Sequence, residues 1–282
     1  MNQQDPPHHL TYVYAAAHPT DTLRDALTGL HGIGGAPVRL LTAAPPTGHT
    51  ATLTPLAFAT SHVPATEFNE HDLKKHFEDL DWLEQAARAH HDVVQAIAAH
   101  TTVLPLRMAT VYQDDDGARH VLAEQHTAFR ARLAELAGHT EYGVKLYLAT
   151  APSTEPEPNT APTTPGKAYL QRRRAQHHVM ESRYQQAQDA AAALEATAAR
   201  YAAQRARHPV QNNALASSEN LLNDAYLIPD DLAHEFTTAM EDTARTFTAV
   251  RVEVTGPWAP YSFASPPSAD TRTPPHHRAG PA

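Results

Sequence analysis

Apolar positions in the first half of the chain follow two different periods. The run LTYVYAA at residues 10–16 is short, apolar and rich in β-formers, which is typical of a strand. After Thr20, a residue type favoured at helix N-caps, Leu23, Leu27 and Leu30 recur at helical spacing. The same criteria predict, in order, strand 10–16, helix 20–30, strands 38–41 and 51–59, helix 67–99 and strand 103–112.

This order of elements, β-α-β-β-α-β, is the ferredoxin-like arrangement. It predicts an antiparallel sheet with helices covering one face. Proline cannot donate a ladder hydrogen bond, so Pro55 marks an edge or a bulge in the 51–59 strand.

The second half of the chain contains one dominant helical pattern. Residues 167–207 are rich in Ala and Arg, and their apolar positions form a thin stripe at heptad spacing, as in a coiled coil. Shorter patterns flank this helix on both sides. They predict helix 118–137, strand 142–148, strand 221–228, helix 229–247 and strand 249–255.

These elements predict an α+β protein with two domains. Residues 10–138 form the ferredoxin-like domain, and 139–263 form an α+β domain built around the long helix. Residues 151–165 contain five prolines and no large apolar side chain, which indicates an extended or disordered loop. We expect flexible tails at 1–9 and at the Pro-rich 264–282.

Charge and composition exclude several classes of protein. There are 31 acidic against 22 basic residues, which argues against a protein built to bind nucleic acid or anionic lipid. Cysteine is absent, which excludes disulfides, thiolate metal sites and a cysteine nucleophile. The N-terminus lacks a secretory pattern, and the uncharged stretch 40–66 contains four prolines, so no membrane helix is expected. We therefore expect a cytoplasmic protein.

The sequence contains few patterns typical of a catalytic or metal site. The 20 histidines are scattered or adjacent, and adjacent residues do not face one metal ion. The run Asp114 to Gly117 resembles the start of a calcium loop, but Gln125 stands where that loop needs Glu, so we interpret the run as a polar turn. No catalytic residue, cofactor or metal site is expected. An enzyme using His91 or His100 with a nearby carboxylate remains an alternative.

Four runs carry a resemblance to a known family. In chain order they are VLPLRMATVY (103–112), EYGVKLY (141–147), GKAYLQRR (166–173) and VEVTGPWAPYSF (252–263). They resemble segments of the GvpL/GvpF gas vesicle family, and the likeness covers about 10–263. The chain departs by having Met-Ala-Thr at 108–110, where the family commonly has Phe-Gly-Thr, and Tyr142 in place of Trp.

The resemblance implies a non-enzymatic gas vesicle accessory protein that takes part in making the shell. It leaves open whether the protein is also a minor vesicle component. Its implied partners are the major gas vesicle shell subunit and other accessory proteins, with no nucleic acid, membrane or small-molecule substrate. Such a protein would cover the apolar face of the subunit or pair with its edge strand, and the Val38 and Pro55 strands are the candidate edges. The acidic 67–99 helix and the basic 167–207 helix would pair or recruit separate partners.

For the motif residues we expect structural roles. We expect Gly256 and Pro257 to shape a turn whose following aromatic residues pack onto the second domain. Arg107 and Lys145 are expected to pair with a carboxylate such as Glu141 or Glu253. A small-molecule sensor with a pocket between the domains is the alternative function. The residues assigned structural or partner-binding roles are Pro105, Leu106, Arg107, Gly143, Lys145, Tyr169, Tyr226, Gly256, Pro257, Trp258, Tyr261 and Phe263.

Overall fold

The structure is a computed structural model that describes residues 9–43, 54–149, 165–210 and 218–265. The predicted tails and the predicted Pro-rich loop lie wholly or largely outside these residues. The chain forms two compact units, Met1–Ala137 with Ala259–Ala282, and Gly138–Trp258. Both combine helices with an antiparallel sheet, which confirms the α+β class. The segment from Ala259 onward belongs to the first unit, whereas the sequence pattern assigned it to the second.

The first unit contains an antiparallel sheet with the strand order β2-β3-β1-β4, and β5 pairs with β1 beyond β4. Thr20 begins the first helix by accepting a hydrogen bond from the Leu23 N–H, as its residue type predicts. The elements are β1 (His9–Ala17), α1 (Asp21–Ala26), β2 (Arg39–Thr42), β3 (Ala57–Pro64), α2 (Ala65–Phe68), α3 (Glu70–His76), α4 (Leu80–Ala98), β4 (Val103–Pro105), β5 (Val111–Tyr112), α5 (Asp115–Glu124) and α6 (His126–Leu136).

Helices cover both faces of this sheet, so the prediction of a single covered face is wrong. Every residue of β1 after His9 is buried, whereas a strand with one solvated face alternates. Tyr12 and Tyr14 share one hydrophobic core with Val93 and other α4 side chains. On β3, the Phe58 ring meets the Phe129 ring of α6 edge-on, with 5.5 Å between centroids.

Two predicted elements of this unit have different bounds. The helix predicted over 67–99 is divided into α2, α3 and α4, because Asn69 and Asp79 act as N-caps and start a new helix each time. The strand predicted over 51–59 is β3, which begins six residues later and lies between β1 and β2. Pro55 therefore precedes a central strand and does not mark an edge, whereas β2 is an edge strand.

The second unit contains an antiparallel sheet with the strand order β7-β8-β6-β9. Side chains of α7 and α8 share one core with Tyr142, Val144 and Leu146, which alternate along β6. The opposite face of β6 carries the partly buried Gly143 and Lys145. The elements are β6 (His139–Leu148), α7 (Pro165–Ala198), β7 (Gln204–Arg207), β8 (Asn220–Pro229), α8 (Ala233–Arg245) and β9 (Val250–Trp258).

The long helix ends nine residues before its predicted end. Residues 204–207 form the edge strand β7, which pairs with β8 from Gln204 opposite Leu227 to Arg207 opposite Asp224. The composition of this stretch favours helix, but strand pairing and ion pairs made by Arg205 override that weak preference.

Candidate functional site

The loop after Pro105 is held against β1 by backbone hydrogen bonds. The Leu106 N–H donates to the Tyr14 carbonyl, and the Thr110 carbonyl accepts from the Val13 N–H, each at 2.9 Å. Between these anchors, Ala109 adopts a positive φ of 62° and donates its N–H to the Tyr12 hydroxyl at 3.0 Å. The predicted continuous strand 103–112 is thus two short strands, β4 and β5, separated by a fixed loop.

His90 on α4 continues this hydrogen-bond chain into the core. Its Nδ1 lies 2.9 Å from the Tyr12 hydroxyl, and its exposed fraction is 3%. The Tyr12 hydroxyl thus bridges the Ala109 N–H and the His90 ring. Nε2 is fully buried.

Burial determines the protonation state of His90. It disfavours the imidazolium and lowers the pKa to about 4, although a hydrogen bond with the Leu106 backbone partly opposes this. His90 is therefore neutral at physiological pH. Sequence reasoning missed this residue, but its helical spacing from the buried Ala86, Val93 and Ile97 places it on the apolar stripe of α4.

The segment that ends the motif GPWAPYSF folds onto the first unit. The Ala259 N–H donates to Gln95 Oε1 at 2.8 Å, and Arg132 Nε donates to the Phe263 carbonyl at 2.6 Å. The ring of Tyr261 stacks on that of His91, with 5.9 Å between centroids. Tyr261 and Phe263 therefore pack onto the first unit, and the prediction that they pack onto the second is wrong.

These elements line an open cavity of ≈ 220 Å³ on the first unit. Ala87, Leu106, Met108 and Tyr261 supply much of its wall. The remaining lining residues are His90, His91 and Arg107. Two separate motifs, the PLR run and the PYSF run, thus meet at one cavity.

Arg107 lines this cavity while remaining exposed to solvent. Within the described ranges, its guanidinium makes no ion pair or hydrogen bond. Lys145 likewise has no ion pair there, although its strand position lies opposite Glu253. The predicted pairing of these two cations with Glu141 or Glu253 is therefore wrong, and Glu253 instead binds Arg251.

The other motif glycines meet in the second unit. The pairing of β6 with β9 shifts between Glu141 and Gly143, so that Gly256 and Pro257 bulge opposite Tyr142. A Cβ at Gly143 would lie 2.8 Å from Thr255 Oγ1. A Cβ at Gly256, whose φ is +132°, would lie 2.9 Å from the Glu141 carbonyl oxygen. Gly256 requires glycine because the backbones of the two strands approach closely there, whereas the atom that crowds Gly143 is a side-chain oxygen that can rotate. Trp258 ends the paired part of β9.

Tyr226 belongs to a charged network within the second unit. Its hydroxyl donates to Asp224 Oδ2 at 3.0 Å, and burial raises its pKa. Arg205 binds both Asp224 and Glu195, at 2.6 Å and 2.7 Å, and Asp224 is only 5% exposed. The sequence could not reveal this network, because its members come from α7, β7 and β8.

The polar run at 114–117 has two structural tasks. Asp114 caps α5 by accepting from the Gly117 N–H at 2.7 Å. Asp115 accepts hydrogen bonds from Thr11 on β1 and Arg39 on β2, at 2.7 Å and 2.6 Å. Partial burial raises the pKa of Asp115, but these bonds and His62 outweigh it and hold the pKa well below its usual range. Asp115 thereby ties α5 to the sheet.

In the N-terminal half of α7, every described side chain as far as Ser182 is exposed to solvent. Leu170, Met180 and Tyr184 follow one side of the helix at heptad-like spacing, and Leu170 is 55% exposed. Tyr169 lies beside them, and its hydroxyl is 3.5 Å from Arg173 Nη1. Farther along the same helix, Ala187, Ala190 and Leu194 are buried in the core.

Two further kinds of site are absent from the described residues. No helix in the described ranges combines the length and the apolar character needed to span a membrane. Nor do the described residues bring together three or more His, Asp or Glu side chains in a way that would hold a metal ion.

Comparison with known proteins identifies the family. A family model described as gas vesicle synthesis protein GvpL/GvpF matches residues 10–265. The chain belongs to this family. It is 38% identical to Gas vesicle protein L of Streptomyces sp. (strain CB03234), over 90% of this chain and 92% of that protein. It is 22% identical to Gas vesicle protein F1 of Halobacterium salinarum, over 66% and 71%.

Solved structures of the family share the fold. The crystal structure of GvpF from Microcystis aeruginosa superposes with a TM-score of 0.58 at 18% identity, covering 91% of this chain and 99% of that one. GvpF from Anabaena sp. PCC7120 gives 0.57 at 16% identity, covering 91% and 96%. The chain is thus a gas vesicle accessory protein by family, as the four sequence runs indicate.

Proposed function

We propose that this protein takes part in assembly of the gas vesicle shell by binding the major shell subunit and other accessory proteins. It acts in the cytoplasm and at the vesicle, without catalysis, cofactor or contact with nucleic acid. Membership of the GvpL/GvpF family supports the gas vesicle setting. The observation that carries the binding role is the exposed apolar side of α7.

The exposed stripe, defined as Leu170, Met180 and Tyr184, suits a helical or apolar partner. Large apolar side chains aligned on a free helix face are typical of an interaction surface. Residues 165–185 also carry five Lys or Arg against one Glu, so two copies of this half would repel each other. The stripe therefore favours a partner other than a second copy of this chain.

Two details of the fold extend this proposal. The antiparallel order β2-β3-β1-β4 supports a ferredoxin-like first unit. In that arrangement β2 is an open edge, and it offers a second route by strand pairing to the subunit. The stripe on α7 supports coiled-coil-like contact with accessory proteins.

Co-expression with the major shell subunit, followed by affinity pull-down and sizing, tests the proposal. Leu170→Glu together with Met180→Glu should abolish the soluble complex, because both place charge on the exposed stripe. Val179→Glu is the matched control. It also replaces an exposed apolar side chain, but on the opposite side of the helix at about 100° per residue.

The outcomes separate the two routes. Loss of the complex with the stripe variant alone supports binding through α7. Loss with Leu40→Pro on β2, but not with the stripe variant, would move the contact to the sheet edge. A wild-type chain that forms no complex with the shell subunit would overturn direct binding.

A further inference from the structure

The exposed stripe on α7 continues the face that the same helix buries farther along. Met180 is exposed and precedes the buried Ala187 by one heptad, and the buried Leu194 follows Ala187 by another. Positions one heptad apart lie on nearly the same side of a helix, so the exposed and the covered parts form a single apolar seam. The exposed stripe is therefore the part of a contact face that this unit's own elements leave open.

The helix α8 covers this seam at one end only. Thr197 Oγ1 of α7 lies 3.0 Å from Thr243 Oγ1 of α8. Farther along the chain, the ring of Tyr201 meets that of Phe236 edge-on, with 6.2 Å between centroids. The two helices therefore run antiparallel, because the later residue of α7 meets the earlier residue of α8. Since α8 ends at Arg245, soon after Thr243, it stops well short of the exposed stripe, which begins about 20 Å farther along α7.

The charge of α7 changes where its cover begins. Residues 165–185 carry five Lys or Arg against one Glu, whereas residues 186–198 carry two acidic residues and no Lys or Arg. Among the basic side chains, Arg173 and Arg174 are exposed, and neither has an ion-pair partner within the described ranges. The open half of the seam thus carries positive charge that the described fold does not neutralise.

The positions of the arginines match those that select a partner in a coiled coil. Leu170 and Tyr184 stand at position a of the heptad, and Met180 stands at d. In that register Arg174 falls at e and Arg183 falls at g. Charges at e and g face those of the other helix, so a partner with Glu or Asp there is attracted and a basic partner is repelled.

We propose that the exposed half of α7 binds an acidic amphipathic helix of a partner protein, packed along the seam beyond the end of α8. The gas vesicle setting of that partner rests on the proposed function, whereas the shape and charge of α7 give its chemistry. The partner helix presents apolar side chains to the exposed stripe and Glu or Asp to the arginines beside it. A second copy of this half does not fit, because its own positive charge repels it.

Three synthetic peptides, each about three heptads long, serve as probes. The acidic peptide has Leu at a and d and Glu at e and g. The basic peptide replaces each Glu by Lys, and the polar peptide replaces each Leu of the acidic one by Ser. The acidic and basic peptides share one apolar seam, so their difference measures charge, whereas the polar peptide measures the contribution of the seam.

Fluorescence anisotropy of each labelled peptide is measured as the full-length protein is added. The acidic peptide should bind saturably and at least about tenfold more tightly than the basic or the polar peptide. Its affinity should decrease as the salt concentration rises, because ions screen charge pairs at a surface. Sizing of the protein alone, at the same concentrations, reports whether it self-associates.

Matched variants locate the binding on α7. Arg173→Glu together with Arg174→Glu should weaken binding of the acidic peptide about tenfold or more and strengthen that of the basic peptide. Arg107→Glu together with Arg130→Glu is the control, because it reverses two exposed arginines of the first unit and changes the net charge equally. This control should leave the preference for the acidic peptide unchanged. The stripe variant should lose binding of the acidic peptide.

The outcomes separate this partner from other occupants of the stripe. No saturable binding of the acidic peptide, equal affinity for the acidic and basic peptides, or binding that the α7 variants leave unchanged would overturn the proposal. Self-association that the stripe variant abolishes would assign the stripe to a second copy and would also overturn it. Binding of the acidic peptide without a shell-subunit complex would support this partner and overturn the direct binding proposed above, whereas the reverse result would retain only the direct binding.

Discussion

The motif residues of the first unit line an open cavity with an exposed arginine, whereas those of the second unit form a tightly paired bulge between two strands. At the cavity, the Arg107 guanidinium has no partner among the described residues. At the bulge, a Cβ at Gly256 would meet a backbone oxygen, and a Cβ at Gly143 would meet a side-chain oxygen. Three of the four sequence runs thus contribute to two chemically different regions.

This difference distinguishes two reasons why a particular residue type occupies a position. Gly256 is required by geometry, because its positive φ and the nearby Glu141 carbonyl exclude a side chain. Arg107 is not required by any contact of the described fold. Substitution should therefore destabilise the bulge strongly and the cavity weakly.

Gly256→Ala should have the largest effect on stability. The new Cβ meets a backbone oxygen and the Tyr142 ring, and the left-handed φ adds strain, for a loss of about 3 kcal/mol or more. Urea unfolding in a Trp82→Phe background measures it, because Trp258 is then the only tryptophan and reports on the second unit.

Gly138→Ala is the matched control for this measurement. Its φ of +68° is also positive, but no atom lies within 4 Å of the added Cβ. It should lower the free energy of unfolding by only about 1 kcal/mol, because it adds backbone strain without a steric clash. Equal losses for the two variants would show that close approach plays no part in the bulge.

The sequence predicts much of the fold but little of either polar region. The apolar runs predict β1, β6 and β8, because the apolar side chains of these runs are the ones buried in the sheet. The division of the 67–99 helix follows from caps at Asn69 and Asp79, which compete with a continuous apolar stripe. Contacts between distant segments, such as that of Arg205 with Asp224, leave no local pattern.

The candidate site shows the same limit. The motif runs identify Arg107 and Tyr261, but their spacing cannot show that both line one cavity. His90 is recognisable only as one polar position on the buried stripe of α4. Its hydrogen bond with Tyr12, 78 residues earlier, becomes visible only in the fold.

The buried imidazole predicts a pH-dependent stability of the first unit. Its folded pKa of about 4 lies below the ordinary 6.5, so the stabilisation from neutral His90 is fully present above about 6.5. It decreases as pH falls toward about 4, because only the unfolded chain then takes up the proton, and the total loss is about 2–3 kcal/mol. Urea unfolding at several pH values in a Trp258→Phe background measures this.

Two variants isolate the His90 contribution. His90→Gln should flatten the pH dependence between those limits by the stated amount. His120→Gln, which removes an exposed histidine of α5, should leave the dependence unchanged. An identical slope for His90→Gln and wild type would mean that His90 does not titrate on unfolding.

Gly143→Ala should have a smaller effect than Gly256→Ala, although the two close contacts look similar. The atom that the new Cβ meets is Thr255 Oγ1, which rotates away more readily than a backbone oxygen moves. We expect a loss of about 1 kcal/mol by urea unfolding. Thr255→Ala in the same chain should recover most of it, and a double-mutant cycle without coupling would contradict a direct clash.

Arg107→Met should have the smallest effect on stability, within about 0.5 kcal/mol, because an exposed side chain without a partner contributes little to folding. Urea unfolding in the Trp258→Phe background tests this. A loss of about 1.5 kcal/mol or more would be the cost of a broken charged hydrogen bond and would make Arg107 structural. Unchanged stability would instead mean that the fold does not use the Arg107 side chain, in contrast to the glycine at position 256, which the bulge requires.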